Sequence, residues 1–119
     1  MMRNCATLPS ETRLHRPEEF AAVLKRRPSA KGKLLTISWL PSQTNPARLG
    51  LVVGKRQAPL AVTRNAVKRV VREAFRLERS QLKLGDYVVR LQTSARNFSL
   101  VELKKMVRLE IDTLLGQFY

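Results

Sequence analysis

Hydrophobic positions along the chain fall into short periodic blocks separated by Pro, Gly and clustered charge. Phe20, Val23 and Leu24 recur at i, i+3 and i+4 behind Pro17, Glu18 and Glu19. Proline suits the first turn of a helix and acids its positive end, so a short amphipathic helix is expected from Pro17 to about Lys25. Leu34 to Leu40 alternates instead, with Leu35, Ile37 and Trp39 on one side and Thr36 and Ser38 on the other, the period of a half-buried strand. Turn residues from Pro41 to Pro46 follow, then an apolar run from Arg48 to Gly54, and the two strands read as an antiparallel hairpin. From Ala61 to Arg79 there is no Gly or Pro and the period is helical. Leu84-Gly85-Asp86 interrupts it, Tyr87 to Leu91 reads as another strand, and Ser99 with Glu102 three residues later forms a capping-box signature before Leu100, Leu103, Val107, Ile111 and Leu114. The order α-β-β-α-β-α predicts an α+β domain with helices packed on one small sheet.

The first dozen residues lack this periodicity, so residues 1–13 are expected to form a mobile basic segment ahead of a single domain spanning 14–119. A chain of 119 residues with 44% hydrophobic content supports one core and not two. No stretch approaches the roughly 18 uninterrupted apolar residues of a membrane span. The opening residues also lack the apolar centre of a secretory signal, which makes the cytoplasm the expected location. Cys5 is the only cysteine, and His15 the only histidine, so neither a disulfide nor a multi-cysteine zinc site is available within the chain.

Charge changes the picture most. Twenty-three Lys and Arg oppose nine Asp and Glu, a formal charge of +14, and such self-repulsion costs stability unless a polyanion offsets it. Between Lys25 and Lys33 five bases occur without an acid, and from Lys55 to Arg79 eight bases face only Glu73 and Glu78. Projected at about 100° per residue, Arg64, Asn65, Lys68, Arg69, Arg72 and Arg76 fall within an arc of about 140°. Ala66, Val67, Val70, Val71, Ala74 and Leu77 occupy the other side and are expected to pack. An ordinary solvated helix alternates acids with bases at i, i+4, and that pairing is nearly absent here. Arginine also matters by type, because its planar fork grips phosphate oxygens at two points. Asn65 adds a donor and an acceptor inside the arc, suited to a ribose hydroxyl, a phosphate or a metal-bound water.

Leu49-Gly-Leu-Val-Val-Gly-Lys-Arg56, followed by Arg64-Asn-Ala-Val-Lys-Arg-Val-Val-Arg-Glu73, resembles the bacterial ribonuclease P protein family. Arg13-Leu14, Glu19-Phe20 and Gly85-Asp86-Tyr87 extend the likeness over nearly the whole chain from Leu14. The resemblance implies an α-β-β-β-α-β-α domain with a central four-stranded sheet and a left-handed βαβ crossover, similar to ribosomal protein S5 domain 2. Its additional short strand is expected in the basic connector or near Gln57. It implies that Lys55, Arg56, Arg64, Asn65, Lys68, Arg69, Arg72 and Arg76 bind ribonuclease P RNA. A cleft between the first helix and the sheet is implied to hold the single-stranded 5′ leader of precursor tRNA, with Phe20, Leu24, Thr36, Ile37 and Ser38 as candidates. Stacking of leader bases there rests chiefly on Phe20, although the apolar stripe it shares with Val23 and Leu24 fits a core side chain equally well. Trp39, sharing parity with Leu35 and Ile37, belongs to the core.

Phosphodiester hydrolysis by a protein calls for clustered carboxylates holding metals, or for paired histidines. The acids here are spread without metal-ligand spacing, so no catalytic or metal-binding residue is assigned. The resemblance implies instead that the RNA subunit performs a magnesium-dependent cleavage, with the magnesium held mainly by RNA, and that one protein assists each RNA. A structural RNA-binding protein, such as a ribosomal one, has the same size and charge and would be told apart by its partner. A DNA-reading module requires two adjacent helices joined by a tight turn, whereas a strand precedes the basic helix here.

Overall fold

A computed structural model of the chain describes residues 12–43 and 46–119. Helix α1 (Pro17–Leu24) is followed by strands β1 (Ala30–Lys31), β2 (Leu35–Pro41) and β3 (Arg48–Val52), helix α2 (Ala61–Glu78), strand β4 (Gly85–Leu91) and helix α3 (Leu100–Leu115). One-turn 3-10 segments follow α2 and α3 at Arg79–Gln81 and Gly116–Phe118. The additional strand implied by the resemblance is β1, within the basic connector, where Ser29 N–H and Gly32 N–H donate to the Ile37 and Leu35 carbonyls at 2.7 and 2.8 Å. The Ser99 capping box closes as its spacing predicts, each residue's backbone N–H reaching the other's side chain.

The four strands form one sheet in the order β1-β2-β4-β3. The expected β2–β3 hairpin is not formed: β4 inserts between them, antiparallel to β2 and parallel to β3. Two features explain this. The connection from Pro41 to Pro46 is not a two-residue hairpin turn, and β4 is buried at every position but Arg90, as a central strand flanked by two neighbours and covered on both faces is. Gly85 opens β4 at φ 134°, where a Cβ would lie 2.3 Å from the Leu40 carbonyl oxygen, so only glycine fits.

Alternation along the strands separates two apolar layers. Leu35, Ile37, Leu49, Tyr87, Val89 and Leu91 form the larger core with Val67, Val71, Ala74 and Phe75 of α2 and Leu103, Val107 and Ile111 of α3. Trp39 joins that layer as its parity predicts, stacking on Tyr87 with ring centroids 6.1 Å apart. On the other face α1 covers a smaller cluster of Leu14, Val23 and Val88. Thr36 and Ser38 are consequently buried too.

Two expectations are corrected here. Leu77, assigned to the packed side of α2, is 50% exposed, while Phe75, which the projection places inside the basic arc, is fully buried. Because α2 rests on the sheet along one flank and on α3 along another, its buried face lies beside the basic arc and not diametrically opposite. Just ahead of the expected domain, Thr12 is buried and Arg13 bridges to Leu49. Residues 1–11 of the expected basic segment lie outside the described residues.

Candidate RNA interface

The basic arc of α2 stands between two grooves. On the β3 side, Arg13, Phe20, Leu49, Gly50, Lys68 and Arg72 line a cleft of about 230 Å³. Its floor is Gly50, whose missing side chain lets the Phe20 ring approach: a Cβ there would lie 2.6 Å from Phe20 Cε2. On the α3 side, Asn65, Arg69 and Arg72 face Leu100 and Lys104 across a groove of about 420 Å³.

The lid of the first cleft is held electrostatically. Arg48 grips Asp86, its register partner on β4, through two hydrogen bonds of 2.8 and 2.9 Å, and reaches Glu19 of α1 at 3.3 Å. Glu19 also accepts backbone N–H bonds from Arg16 and His15, which together with Arg48 hold its carboxyl below the usual range. Asp86 in turn raises the Arg48 pKa. This chain of contacts ties α1 to the sheet and sets where Phe20 stands.

Acids elsewhere are also engaged. Glu110 on α3 accepts from three successive backbone N–H groups, Lys33, Leu34 and Leu35, at 2.9, 2.8 and 2.6 Å. Asp112 pairs with Arg108, Glu102 caps α3, and Glu78 accepts from the Tyr119 hydroxyl. Among the described residues, ion pairs therefore occupy Arg48 and Arg108 and no base of the α2 arc. No group of three or more His, Cys, Asp or Glu among them could hold a metal ion.

The arc residues themselves fall into distinct situations. Asn65 and Arg69 are exposed, Lys68, Arg72 and Arg76 are half-buried, and Lys55 and Arg56 are exposed on the turn after β3. Arg64 sits at the margin of the buried face, and its Nη1 is committed to the Ala58 and Pro59 carbonyls at 2.9 Å each. Burial, and then the neighbouring charge of Arg13, makes the Arg72 guanidinium harder to keep protonated than a free arginine. Burial and charge crowding of this kind, with no acid among the described residues paired to Arg72, are what an incoming anion relieves.

Of the cleft candidates only Phe20 lines the cleft. Leu24 points away and is 37% exposed, and Thr36 and Ser38 lie under α1. Ile37 is on the opposite face of the sheet, in the core with α3, because β2 alternates and Phe20 sits above its even-numbered side. Nothing in the sequence pattern singles out Arg13, His15, Gly50 or Lys104, which also border the two grooves. Arg13 and His15 lie before the first helix, where no periodicity assigns them a direction, and Lys104 reads as an ordinary exposed base of α3.

A small α+β domain that leaves a cationic helix face unpaired between two grooves is a nucleic-acid-binding domain in class. Comparison with known proteins narrows that class. The family model for ribonuclease P matches residues 8–116. A ribonuclease P protein component from Bordetella avium is 53% identical over 116 residues, covering 96% of this chain and 97% of that protein. One from Paraburkholderia xenovorans is 40% identical, covering 98% and 86%. Among solved structures, the ribonuclease P protein of Staphylococcus aureus superposes with a TM-score of 0.74 at 21% identity, over 89% of this chain and 94% of that one. The Thermotoga maritima protein gives 0.64 at 23% identity, over 85% and 96%. The chain belongs to the ribonuclease P protein family, as a protein component of the bacterial type. Such components work with ribonuclease P RNA and precursor tRNA in a holoenzyme that is an endoribonuclease.

Proposed function

We propose that this chain binds ribonuclease P RNA through Lys55, Arg56, Arg64, Asn65, Lys68, Arg69, Arg72 and Arg76, and receives the precursor tRNA 5′ leader in the cleft beside Phe20. The observation that carries this reading is that no acid of the described chain pairs with the α2 arc, while six of its acids are spent elsewhere. Arg69 and Asn65 are the contacts to phosphate and ribose, and Arg64 mainly shapes the loop before α2. In the cleft, the Phe20 ring offers a stacking surface and Arg13 neutralises the leader backbone, with Lys68 and Arg72 shared between the leader and the ribonuclease P RNA.

The protein is non-catalytic in this reading. The carboxylates of the described residues are dispersed or engaged and form no cluster to hold a metal, so in this reading the magnesium of the reaction is held by the RNA subunit and the substrate. By neutralising crowded phosphates, the chain lets that magnesium bind at lower concentration. One protein acts per RNA, and the complex works in the cytoplasm. No helix of the described residues is long and apolar enough to cross a membrane.

Reconstitution tests this directly. Purified protein, ribonuclease P RNA and precursor tRNA at low magnesium are expected to cleave at the mature 5′ end, and RNA alone or protein alone is not. Equal cleavage with and without the protein contradicts the reading.

A further inference from the structure

Two described side chains carry a buried nitrogen without an acceptor, Arg13 Nε and Arg76 Nε. Both belong to one groove. The Phe20 cleft joins Leu49 and Gly50 of β3 to Lys68 and Arg72 of α2. A second hollow of about 320 Å³ joins Pro46 and Ala47, just before β3, to Arg76, Arg79 and Ser80 at the far end of α2. Descending β3 thus corresponds to ascending α2, and the two hollows are successive stretches between that helix and the outer edge of the sheet.

Along this groove Lys68, Arg72, Arg76 and Arg79 are spaced four, four and three residues apart, so they follow one side of the helix at intervals of about 4.5 to 6 Å. That interval is comparable to the separation of successive phosphates in a single strand. No acid lines either hollow. Arg79 is held in place by its Nε donating to the Ala47 carbonyl at 2.9 Å, which leaves the two terminal nitrogens of its fork for a ligand. The Ser80 hydroxyl adds a further donor.

We propose that a single RNA strand entering at Phe20 continues along this groove, and that Arg79 and Ser80, with Arg76 turned from the ribonuclease P RNA to the leader, hold its backbone about two to three nucleotides further on. The inference rests on the reading that the Phe20 cleft receives the 5′ leader. It makes the far end of α2 the place where leader length is sensed, because only a leader long enough to pass Arg72 reaches it.

The test measures holoenzyme affinity for precursor tRNAs whose leaders are lengthened one nucleotide at a time, with wild-type protein and with Arg79→Gln. The ratio of long-leader to short-leader affinity is expected to fall about tenfold in the variant. The length at which affinity stops rising should shorten by about two nucleotides. The salt dependence for the long leader should lose about 0.7 in log-log slope per missing single-strand phosphate contact. Because Arg79→Gln also removes the bond to Ala47, its unfolding midpoint is measured alongside. Arg76→Gln, whose Nε makes no bond within the protein, is the second variant and should lower the same ratio. An unchanged ratio overturns the inference. So does an equal loss at every leader length, which would place Arg76 and Arg79 against the RNA subunit. If wild-type affinity does not depend on leader length at all, the Phe20 reading itself fails and this inference with it, a pattern distinct from the other two.

Discussion

Replacing Gly50 by Ala perturbs the cleft without altering any charge. The added Cβ would stand 2.6 Å from Phe20 Cε2 and 3.0 Å from both Phe20 Cζ and Leu14 Cδ1, closer than carbon atoms pack. The ring must swing off the strand or the strand must yield. Overpacking of this kind costs about 1–3 kcal/mol of stability, read as a lower urea midpoint with an unchanged slope. Displacing the ring also removes its stacking, about 1–3 kcal/mol for one base, so the affinity that depends on the leader should fall between about fivefold and about a hundredfold. The assay compares holoenzyme binding to precursor tRNA with and without its leader, for wild-type, Gly50→Ala and Phe20→Ala proteins. Both variants should lose the leader-dependent part alone, while affinity for the RNA subunit stays near wild type. A folded, destabilised Gly50→Ala protein that still discriminates the leader as well as wild type would refute the reasoning that Phe20 acts from its seat on Gly50.

Other outcomes follow from the same contacts. Arg48→Met leaves Asp86 buried without its two-point partner and frees Glu19, and should lower stability by about 1–3 kcal/mol in urea unfolding, with leader affinity falling as α1 loosens. Gly85→Ala forces a side chain into a left-handed conformation and against the Leu40 carbonyl, and should cost at least about 2 kcal/mol by the same measurement. Glu19 has a lowered carboxyl pKa in the folded state, so its contribution is present above the unfolded value near 4.5 and is lost as pH falls through the folded one. Glu19→Gln should therefore flatten the thermal-stability profile in that acidic window and leave its shape at neutral pH unchanged. Glu110→Ala strands three backbone N–H groups between β1 and β2, and amide exchange at Lys33, Leu34 and Leu35 should accelerate.

The elements with strong periodicity were legible in the sequence to within a residue or two. The Ser99 and Glu102 spacing placed the start of α3, and the unbroken helical pattern placed α2. Strand pairing was not legible, because Tyr87-Val88-Val89 reads as a short apolar run whether central or peripheral, and local alternation carries no partner information. β1 is two residues long, with Ala30 in the core and Lys31 exposed, too short for an alternating pattern to be read. The basic arc was read from the helical period. Its margin was misplaced, since a single projection assumes one buried side and α2 packs against both sheet and α3; Phe75 and Leu77 exchange roles for that reason. The cleft was the least legible part. Its walls come from Arg13 before the first helix, Gly50 in an edge strand and Lys68 on α2, and only the fold brings these together.

The unpaired cationic face of α2 is tested most directly by the salt dependence of protein binding to ribonuclease P RNA. If about five duplex phosphates are neutralised, log affinity should fall against log salt with a slope near about −4.5, and Arg69→Ala should reduce that slope by about 0.9. A response that is flat, or a slope that Arg69→Ala leaves untouched, would contradict the account.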